Sequence, residues 1–180
     1  MLYSLISLTS HAKQSGQDFF IKVELGQNLA KTSELSMQLP EGAITQVDDS
    51  ATGWTFGLGM NVTPKFSVTL GYVDMGEGGL IITGDTLNAP EYYQSVSQVT
   101  PVLVSGVTLD GRYHFLRDEQ YSVAGFFGLL AWNSDVASTY TEQHLEHEQE
   151  GVDIFYGIEG TYHLNKTWDV NMGIKRYALD

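Results

Sequence analysis

The densest group of candidate metal ligands in this 180-residue chain is the segment EQHLEHEQE. Imidazole and carboxylate side chains of this kind bind divalent cations. They belong to Glu142, His144, Glu146, His147, Glu148 and Glu150. The spacing is not that of a zinc protease, whose two histidines lie four residues apart with a glutamate after the first. Solvation of a surface loop explains the segment more simply than a surface cation does, and we predict no metal and no other cofactor.

Acid-base catalysis is the other chemistry that the histidines could support, and His114 and His163 are the candidates. A catalytic triad also needs a nucleophile and an orienting acid, and nothing adjacent supplies them. The glycines alternate within apolar runs rather than opening a helix, so they do not form a phosphate-binding loop. We therefore predict that the protein is not an enzyme. A lipid-modifying or proteolytic barrel enzyme is the alternative, and it would need polar residues gathered at one rim.

The charge balance argues against nucleic acid as a partner. The chain has 22 acidic and 9 basic residues, a net charge of -13, whereas phosphate binding needs clustered Lys and Arg. The acids fall largely between apolar runs, as in LPEGAITQVDDS, EGGLIITGDTLNAPEYYQ and TEQHLEHEQE, which is typical of solvated loops. The chain has no cysteine, which suits an envelope compartment without identifying one. No apolar run reaches the length of a membrane-spanning helix.

Period-2 alternation in segments of about ten residues predicts an all-β, antiparallel domain. Seven strands can be placed, at Asp18–Leu29, Gly53–Val62, Phe66–Met75, Val102–Phe115, Tyr121–Trp132, Val152–Leu164 and Trp168–Tyr177. Short connections alternate with long acidic ones near residues 30–52, 76–101 and 133–151. Outer-membrane barrels show this asymmetry, with tight periplasmic turns and long extracellular loops.

The two faces of the second strand differ in a way that indicates which one meets water. Trp54, Phe56 and Leu58 share one face, whereas Gly57 and Gly59 lie on the other. A soluble barrel would place charged side chains outside, but here the face opposite the bulky residues is glycine and short polar residues. Crowding inside a narrow barrel explains a row of glycines. The sequence therefore predicts that glycine and threonine line the interior and that the Trp54 face contacts lipid.

Ionisable residues recur on the small-residue face, where burial requires them to be paired. We predict a lumen ionic network of Lys22, Glu24, Asp110, Arg112, Glu159 and Lys175 that either plugs the interior or gates ions. Amphipathic rings on the other face suit the membrane interface. The predicted interface aromatics are Phe19, Phe66, Tyr113, Phe115, Tyr121, Tyr162 and Trp168 near the short turns, with Trp54 and Tyr72 toward the long loops.

Three blocks of the chain resemble the transmembrane barrel domain of the outer membrane protein A (OmpA) family. They are ATGWTFGLGMNVTPKFSVTLGYVDMGE, GVTLDGRYHFLRDEQYSVAGFFGLLAWNSDV and GVDIFYGIEGTYHLNKTWDVNMGIKRYALD, in the order of the family. The resemblance implies an eight-stranded, up-and-down antiparallel transmembrane β-barrel with a narrow ionic interior. It also implies the outer membrane of a Gram-negative bacterium, with membrane lipid and lipopolysaccharide as partners.

The ends of the chain depart from the family pattern. The sequence stops at RYALD, where a last loop would begin, so we predict that the eighth strand is missing and that residues 18–180 are a C-terminally truncated barrel. An apolar segment followed by Ser10, His11 and Ala12 suits a signal cleavage site, so we assign residues 1–17 to a signal-peptide remnant and tail. The alternatives are an ordinary tail or an extra strand from Leu2 to Thr9 that replaces the missing one.

The functional expectation is a non-catalytic outer-membrane barrel that contributes to envelope integrity, with long acidic loops for adhesion or interaction. One alternative is a porin-like pore for small solutes or ions, gated by the lumen charges. The third is a soluble, lipocalin-like ligand-binding barrel. In such a barrel the apolar face of each strand would point inward and the small-residue face would meet water. The sequence does not indicate an oligomeric state.

Overall fold

The fold is a β-barrel, described in a computed structural model for residues 2–14, 17–29, 44–48, 50–76, 79–83, 104–140 and 143–178. Its strands are β1 (Leu2–Gln14), β2 (Gln17–Leu29), β3 (Ile44–Asp48), β4 (Ser50–Thr63), β5 (Phe66–Asp74), β6 (Gly79–Thr83), β7 (Ser105–Arg117), β8 (Tyr121–Tyr140), β9 (Gln143–His163) and β10 (Trp168–Ala178). Among these described residues, no helix has the length and hydropathy needed to cross a membrane.

Eight of the strands close into one barrel in the order β1-β10-β9-β8-β7-β5-β4-β2, with every neighbouring pair antiparallel. The predicted alternation sets the two faces of the wall. Leu58 and Leu70 are 53% and 56% exposed on the outside, whereas Thr55 and Thr69 are buried inside. Closure leaves no unpaired strand edge, which is the condition for a sheet to lie in lipid.

The prediction that the last strand is missing is wrong, because β1 occupies the eighth position. Leu2 to Ser10 pair with Arg176 to Trp168 of β10, and Leu2 to Gln14 pair with Leu29 to Gln17 of β2. The barrel wall therefore begins at Leu2 rather than at Asp18, as in the alternative that placed a strand at Leu2 to Thr9.

The composition of β1 explains why its strand character was hard to see. Tyr3 and Leu5 point into the barrel and are almost fully buried, whereas Ile6 and Leu8 point outward. A strand that is apolar on both faces shows no period-2 alternation, and its first residues look like the apolar core of a signal peptide. Ser7 and Thr9 both point inward and lie on either side of the outward Leu8, and this is the only part of β1 that shows the polar-apolar alternation of a strand.

Short turns join strands at one end of the barrel and are stabilised by side chains. Thr63 Oγ1 accepts hydrogen bonds from the backbone N–H groups of Lys65 and Phe66 between β4 and β5. Asn165 Oδ1 accepts bonds from the N–H groups of Thr167 and Trp168 between β9 and β10. Because β1 leads directly into β2 at this same end, the first residue of β1 and the last of β10 lie at the end with the long connections.

The long connections contain paired strands of their own. β3 pairs with β6, which joins the first two long connections. β8 and β9 continue as a hairpin to the pair Tyr140 and Gln143, so the predicted loop at residues 133–151 is largely strand. The cation candidates of EQHLEHEQE fall on this hairpin, and their side chains, except that of Glu150, lie outside the described residues together with residue 142.

Candidate functional site: a filled barrel lumen

The lumen is the candidate site, and it is filled in three layers from the long-connection end to the short turns. The aromatic layer is the buried apolar cluster of Tyr3, Leu5, Val73, Met75, Val104, Phe126, Leu130, Trp132, Phe155 and Tyr177. The ionic layer contains Lys22, Glu24, Asp110, Arg112, Glu159 and Lys175. The polar layer contains Ser7, Thr9, His11, Thr161, His163, Asp169 and Asn171.

All six residues of the predicted lumen network meet in the ionic layer. Lys22 pairs with Glu159 and places its Nζ 2.6 Å from Glu24 Oε1. Each of these three side chains is at most 4% exposed, so the charges lie well away from solvent. Buried charges are tolerated when they are paired and hydrogen-bonded, and this chain of contacts meets that condition.

The basic residues of β7 and β10 extend the network around the lumen. Arg112 Nη1 lies 3.2 Å from Glu159 Oε1, and its other terminal nitrogen lies 3.9 Å from Asp110 Oδ1. Lys175 Nζ donates to Glu24 Oε2 at 2.8 Å. Each of the two glutamates therefore contacts two cations, so the network joins β2, β7, β9 and β10 into one electrostatic unit.

Lys175 also connects the ionic layer to the aromatic layer. Its ammonium lies 5.4 to 5.8 Å from the ring centroids of Tyr3, Phe126, Phe155 and Tyr177. Cations within about 6 Å of an aromatic ring centroid are attracted by the negative face of the ring. The four rings therefore surround the ammonium group of Lys175.

The inward glycines make room for these rings, which gives the glycine row a specific reason. A Cβ at Gly128 would lie 2.6 Å from Phe155 Cζ, and one at Gly157 would lie 2.5 Å from Phe126 Cζ. The same relationship holds for Gly26 with Tyr3, Gly59 with Phe20 and Gly151 with Trp132. Placing a glycine against a ring on the neighbouring strand is a known way to seat aromatics in a curved sheet. The predicted crowding of the interior is thus crowding by aromatic rings and by the backbone of neighbouring strands, since a carbonyl oxygen is even closer than the ring at Gly26, Gly128 and Gly157.

The polar groups of the aromatic layer have partners that keep the rings in place. Tyr3 Oη donates to the carbonyl of Gly53 at 3.0 Å, and Trp132 Nε1 donates to Asp153 Oδ2 at 2.6 Å. A buried Tyr or Trp is stable when its polar atom is satisfied in this way. The aromatic layer is therefore fixed by hydrogen bonds as well as by packing.

The polar layer fills the short-turn end and depends on β1. Asp169 accepts from both ring systems that flank it, with His11 Nε2 at 2.7 Å and His163 Nδ1 at 2.8 Å from its two carboxylate oxygens. Asn171 Nδ2 donates to Ser7 Oγ and Thr9 Oγ1, each at 2.9 Å. Sequence reasoning missed Ser7, Thr9 and His11 as lumen residues because they lie on the unrecognised strand.

Little space is left inside the ionic layer. Five of its residues line a cavity of about 10 Å³ together with Thr55, Thr69 and Thr108: Lys22, Glu24, Asp110, Arg112 and Lys175. The cavity has room for about one water molecule. Four atoms around this cavity are buried without a hydrogen-bond partner among the described residues: Thr55 Oγ1, Thr69 Oγ1, Asp110 Oδ1 and Arg112 Nε. Within the same residues, no three His, Asp or Glu side chains are arranged to hold a metal ion.

The nine predicted interface aromatics all lie on the outer face, where they are 37% to 59% exposed: Phe19, Trp54, Phe66, Tyr72, Tyr113, Phe115, Tyr121, Tyr162 and Trp168. Tyr121 and Tyr162 pack 5.2 Å apart beside short turns, and Trp54 and Tyr72 pack 5.8 Å apart toward the long connections. The outer face between them carries exposed Ile, Leu, Val and Phe side chains. A soluble barrel would carry charge at these positions.

The family model for the outer membrane protein beta-barrel domain matches residues 1–180. The chain belongs to this family. The match agrees with the resemblance to OmpA-type barrels, and it includes the segment that forms β1. Membership of this family indicates an outer-membrane location, in keeping with the apolar outer face. No curated protein matches the sequence of this chain.

Sequence reasoning also missed the aromatic layer as a functional feature. Phe155 lies on the small-residue face of its strand, next to Gly157 on that face, and a ring beside a glycine is the available signal. Tyr3 gave no such signal because it belongs to β1. The rings meet only because distant strands curve around one narrow lumen, which one strand at a time does not reveal.

Proposed function

We propose that this protein is a non-catalytic outer-membrane barrel with a closed lumen, which contributes to the integrity of the envelope of a Gram-negative bacterium. The observation that carries the proposal is the filling of the lumen by an aromatic layer and an ion-paired layer in series.

The two layers oppose the passage of solutes for different reasons. An ion entering the aromatic layer would lose its hydration, as in a hydrophobic constriction. The ring faces that could attract a cation already surround the Lys175 ammonium. In the ionic layer, an ion would have to separate charges that already neutralise each other. The small internal cavity is consistent with eight strands, whose interior is about wide enough to be filled by side chains.

A gated ion pore is the second candidate, and one observation favours it. The cavity of the ionic layer is lined by Thr55, Thr69, Asp110 and Arg112, each with one buried atom that has no hydrogen-bond partner among the described residues. Polar atoms around a cavity can support a short water path if a neighbouring ion pair opens. In this version of the function, Glu159 acts as the gate because it holds both Lys22 and Arg112.

The long connections suit interaction with ligands at the cell surface. Their sequences are acidic, and the β8–β9 hairpin projects past the barrel wall. Acidic surface segments attract divalent cations and basic partners. We propose adhesion or partner binding through these connections, with outer-membrane lipid and lipopolysaccharide around the wall.

Planar bilayer recordings on the full chain test the closed-lumen proposal. The parent protein is expected to show small or no conductance, and Glu159→Ala is expected to raise it because the cations of Lys22 and Arg112 lose a partner. Glu119→Ala, an exposed acid in the β7–β8 turn, is the matched control and should leave conductance unchanged. A large, stable conductance in the parent protein would refute the closed lumen and support the pore.

A deletion strain tests the contribution to envelope integrity. Cells without the protein should be more sensitive to detergent and chelator than cells with it, and the parent gene should restore resistance. If the deletion leaves this sensitivity unchanged under both treatments, the structural role in the envelope is refuted.

A further inference from the structure

The outer wall carries an apolar groove of about 660 Å³ across β7, β8, β9 and β10. Two glycines that point outward, Gly111 and Gly125, form its floor. The walls are Phe66, Tyr113, Phe127, Tyr156 and Ile158, and Arg176 lies at one end. The groove is therefore a depression in the lipid-facing surface with aromatic sides and a cationic end.

The register of the sheet explains the shape and direction of the groove. Arg176, Tyr156, Phe127 and Gly111 are successive cross-strand partners from β10 to β7. Ile174, Ile158, Gly125 and Tyr113 form the parallel row beside them. Each row contains one glycine among bulky residues, so a channel runs obliquely from the Arg176 end toward the short turns.

The floor at Gly125 is open enough to receive a ligand. A Cβ there would meet its nearest atom, Phe115 Cε1, at 3.6 Å, which is ordinary van der Waals contact. At Gly111 the Phe66 ring already approaches, at 3.2 Å from the same position. The groove is therefore deepest around Gly125 and shallower where it reaches Phe66.

The cationic end of the groove is Arg176. It is exposed on the outer face, and among the described residues no carboxylate lies within ion-pairing distance of its guanidinium. It lies two residues before the end of β10, at the long-connection end. In outer-membrane barrels that end is extracellular, so the guanidinium reaches the headgroups of the outer leaflet.

We propose that this groove binds one anionic lipid, with an acyl chain over Gly125 and the lipid phosphate on Arg176. Arginine recognises phosphate with two parallel hydrogen bonds, and a basic residue next to a membrane favours anionic lipids. The aromatic walls and glycine floor match a flexible hydrocarbon chain. The site is on the outside of the wall and does not depend on whether the lumen is closed.

A second depression of about 590 Å³ provides an internal comparison. It lies around the outward Gly160, between Val123, Ile158 and Met172. A Cβ at Gly160 would meet its nearest atom at 3.9 Å, so this position is as open as Gly125. No outward basic residue lines it, and the proposal therefore predicts no preference for anionic lipid there.

Native mass spectrometry of the full chain tests the proposal, with the folded protein in detergent and equal amounts of dioleoylphosphatidylglycerol and dioleoylphosphatidylcholine. The parent protein should retain phosphatidylglycerol in preference. Arg176→Gln should reduce that preference about fivefold, the effect expected for one basic residue at an anionic surface. Gly125→Leu should lower retention of both lipids, because its side chain fills the groove.

Two matched variants serve as controls. Gly160→Leu fills the other depression and Lys166→Gln removes an exposed cation in the β9–β10 turn, and neither should change the preference. Equal retention in Arg176→Gln and the parent would overturn the phosphate contact, and equal retention in Gly125→Leu would overturn the acyl groove. Protein dimers that disappear in Gly125→Leu without any change in bound lipid would assign the groove to a second copy of the chain and overturn the lipid site.

Discussion

Lys175 Nζ donates to Glu24 Oε2 at 2.8 Å across the inner face of β1. The two residues belong to β10 and β2, the strands on either side of β1, so this ion pair braces the strand that closes the barrel. Closure therefore depends on side chains inside the lumen as well as on the backbone ladders of β1.

Breaking this pair should destabilise the barrel and show coupling between the two residues. Lys175→Met leaves Glu24 with Lys22 as its one cation, and we expect a loss of about 3–5 kcal/mol in the free energy of unfolding. The double variant Lys175→Met with Glu24→Gln should lose less than the sum of the two single variants, because no uncompensated charge remains. Urea titrations of protein folded into lipid vesicles measure both effects. Lys166→Met is the exposed control, and additive losses would contradict the coupling.

The neighbours Phe126 and Phe127 provide the test of the aromatic layer. Phe126 is buried in the lumen at 5% exposure, whereas Phe127 faces outward at 57%. Phe126→Ala should lower stability by about 3–5 kcal/mol because it leaves a cavity between Lys175 and Arg112. Phe127→Ala should have a smaller effect. Only Phe126→Ala should raise conductance in planar bilayers, and equal effects of the two variants would argue against the layer as a barrier.

The closing seam can be tested by disulfide formation because the chain has no cysteine of its own. Ser4 and Ile174 are direct cross-strand partners on β1 and β10 and both face outward. Facing residues in antiparallel strands lie within disulfide range. Ser4→Cys with Ile174→Cys should cross-link on mild oxidation, whereas Ser4→Cys with Ile158→Cys, one strand farther, should not. The readout is a mobility shift that a reductant reverses, and a barrel that cross-links neither pair would refute the seam.

Orientation in the membrane follows from the sorting of the connections. Glu150 is exposed at the long-connection end, and Lys65 is exposed in a short turn. A membrane-impermeant maleimide should label Glu150→Cys in intact cells and Lys65→Cys only after lysis, since short turns face the periplasm in outer-membrane barrels. The opposite labelling pattern would reverse the orientation and move Arg176 to the inner leaflet.

Charge placed on the lipid-facing side should be destabilising. Leu70 lies on the outer face with 56% exposure. Leu70→Arg should lower the free energy of unfolding in vesicles by about 2–4 kcal/mol if the position is near the bilayer midplane. Leu70→Met keeps the bulk without the charge and should be close to neutral. Similar values for both variants would show that this face does not contact hydrocarbon.

The alternation of Trp54, Phe56 and Leu58 with glycine and threonine determined the two faces from the sequence alone. That inference is secure because the side-chain period of a strand is two, so one strand suffices to separate inside from outside. The same rule identified Lys22, Glu24 and Glu159 as inward, and burial without a partner is unfavourable enough to predict that they pair. The family followed from the order of the blocks.

Only the tertiary structure decided which residues of different strands contact each other. Whether Leu2 to Gln14 closes the wall depends on hydrogen bonds to residues more than 150 positions away, and a segment apolar on both faces gives no local sign of them. Glu159 contacts both Lys22 and Arg112, and four rings surround Lys175. Both arrangements depend on how the strands tilt and stagger around the barrel. The sequence determines which side chains face inward, and only the closed barrel determines which of them meet, because its shear brings distant strands to the same height.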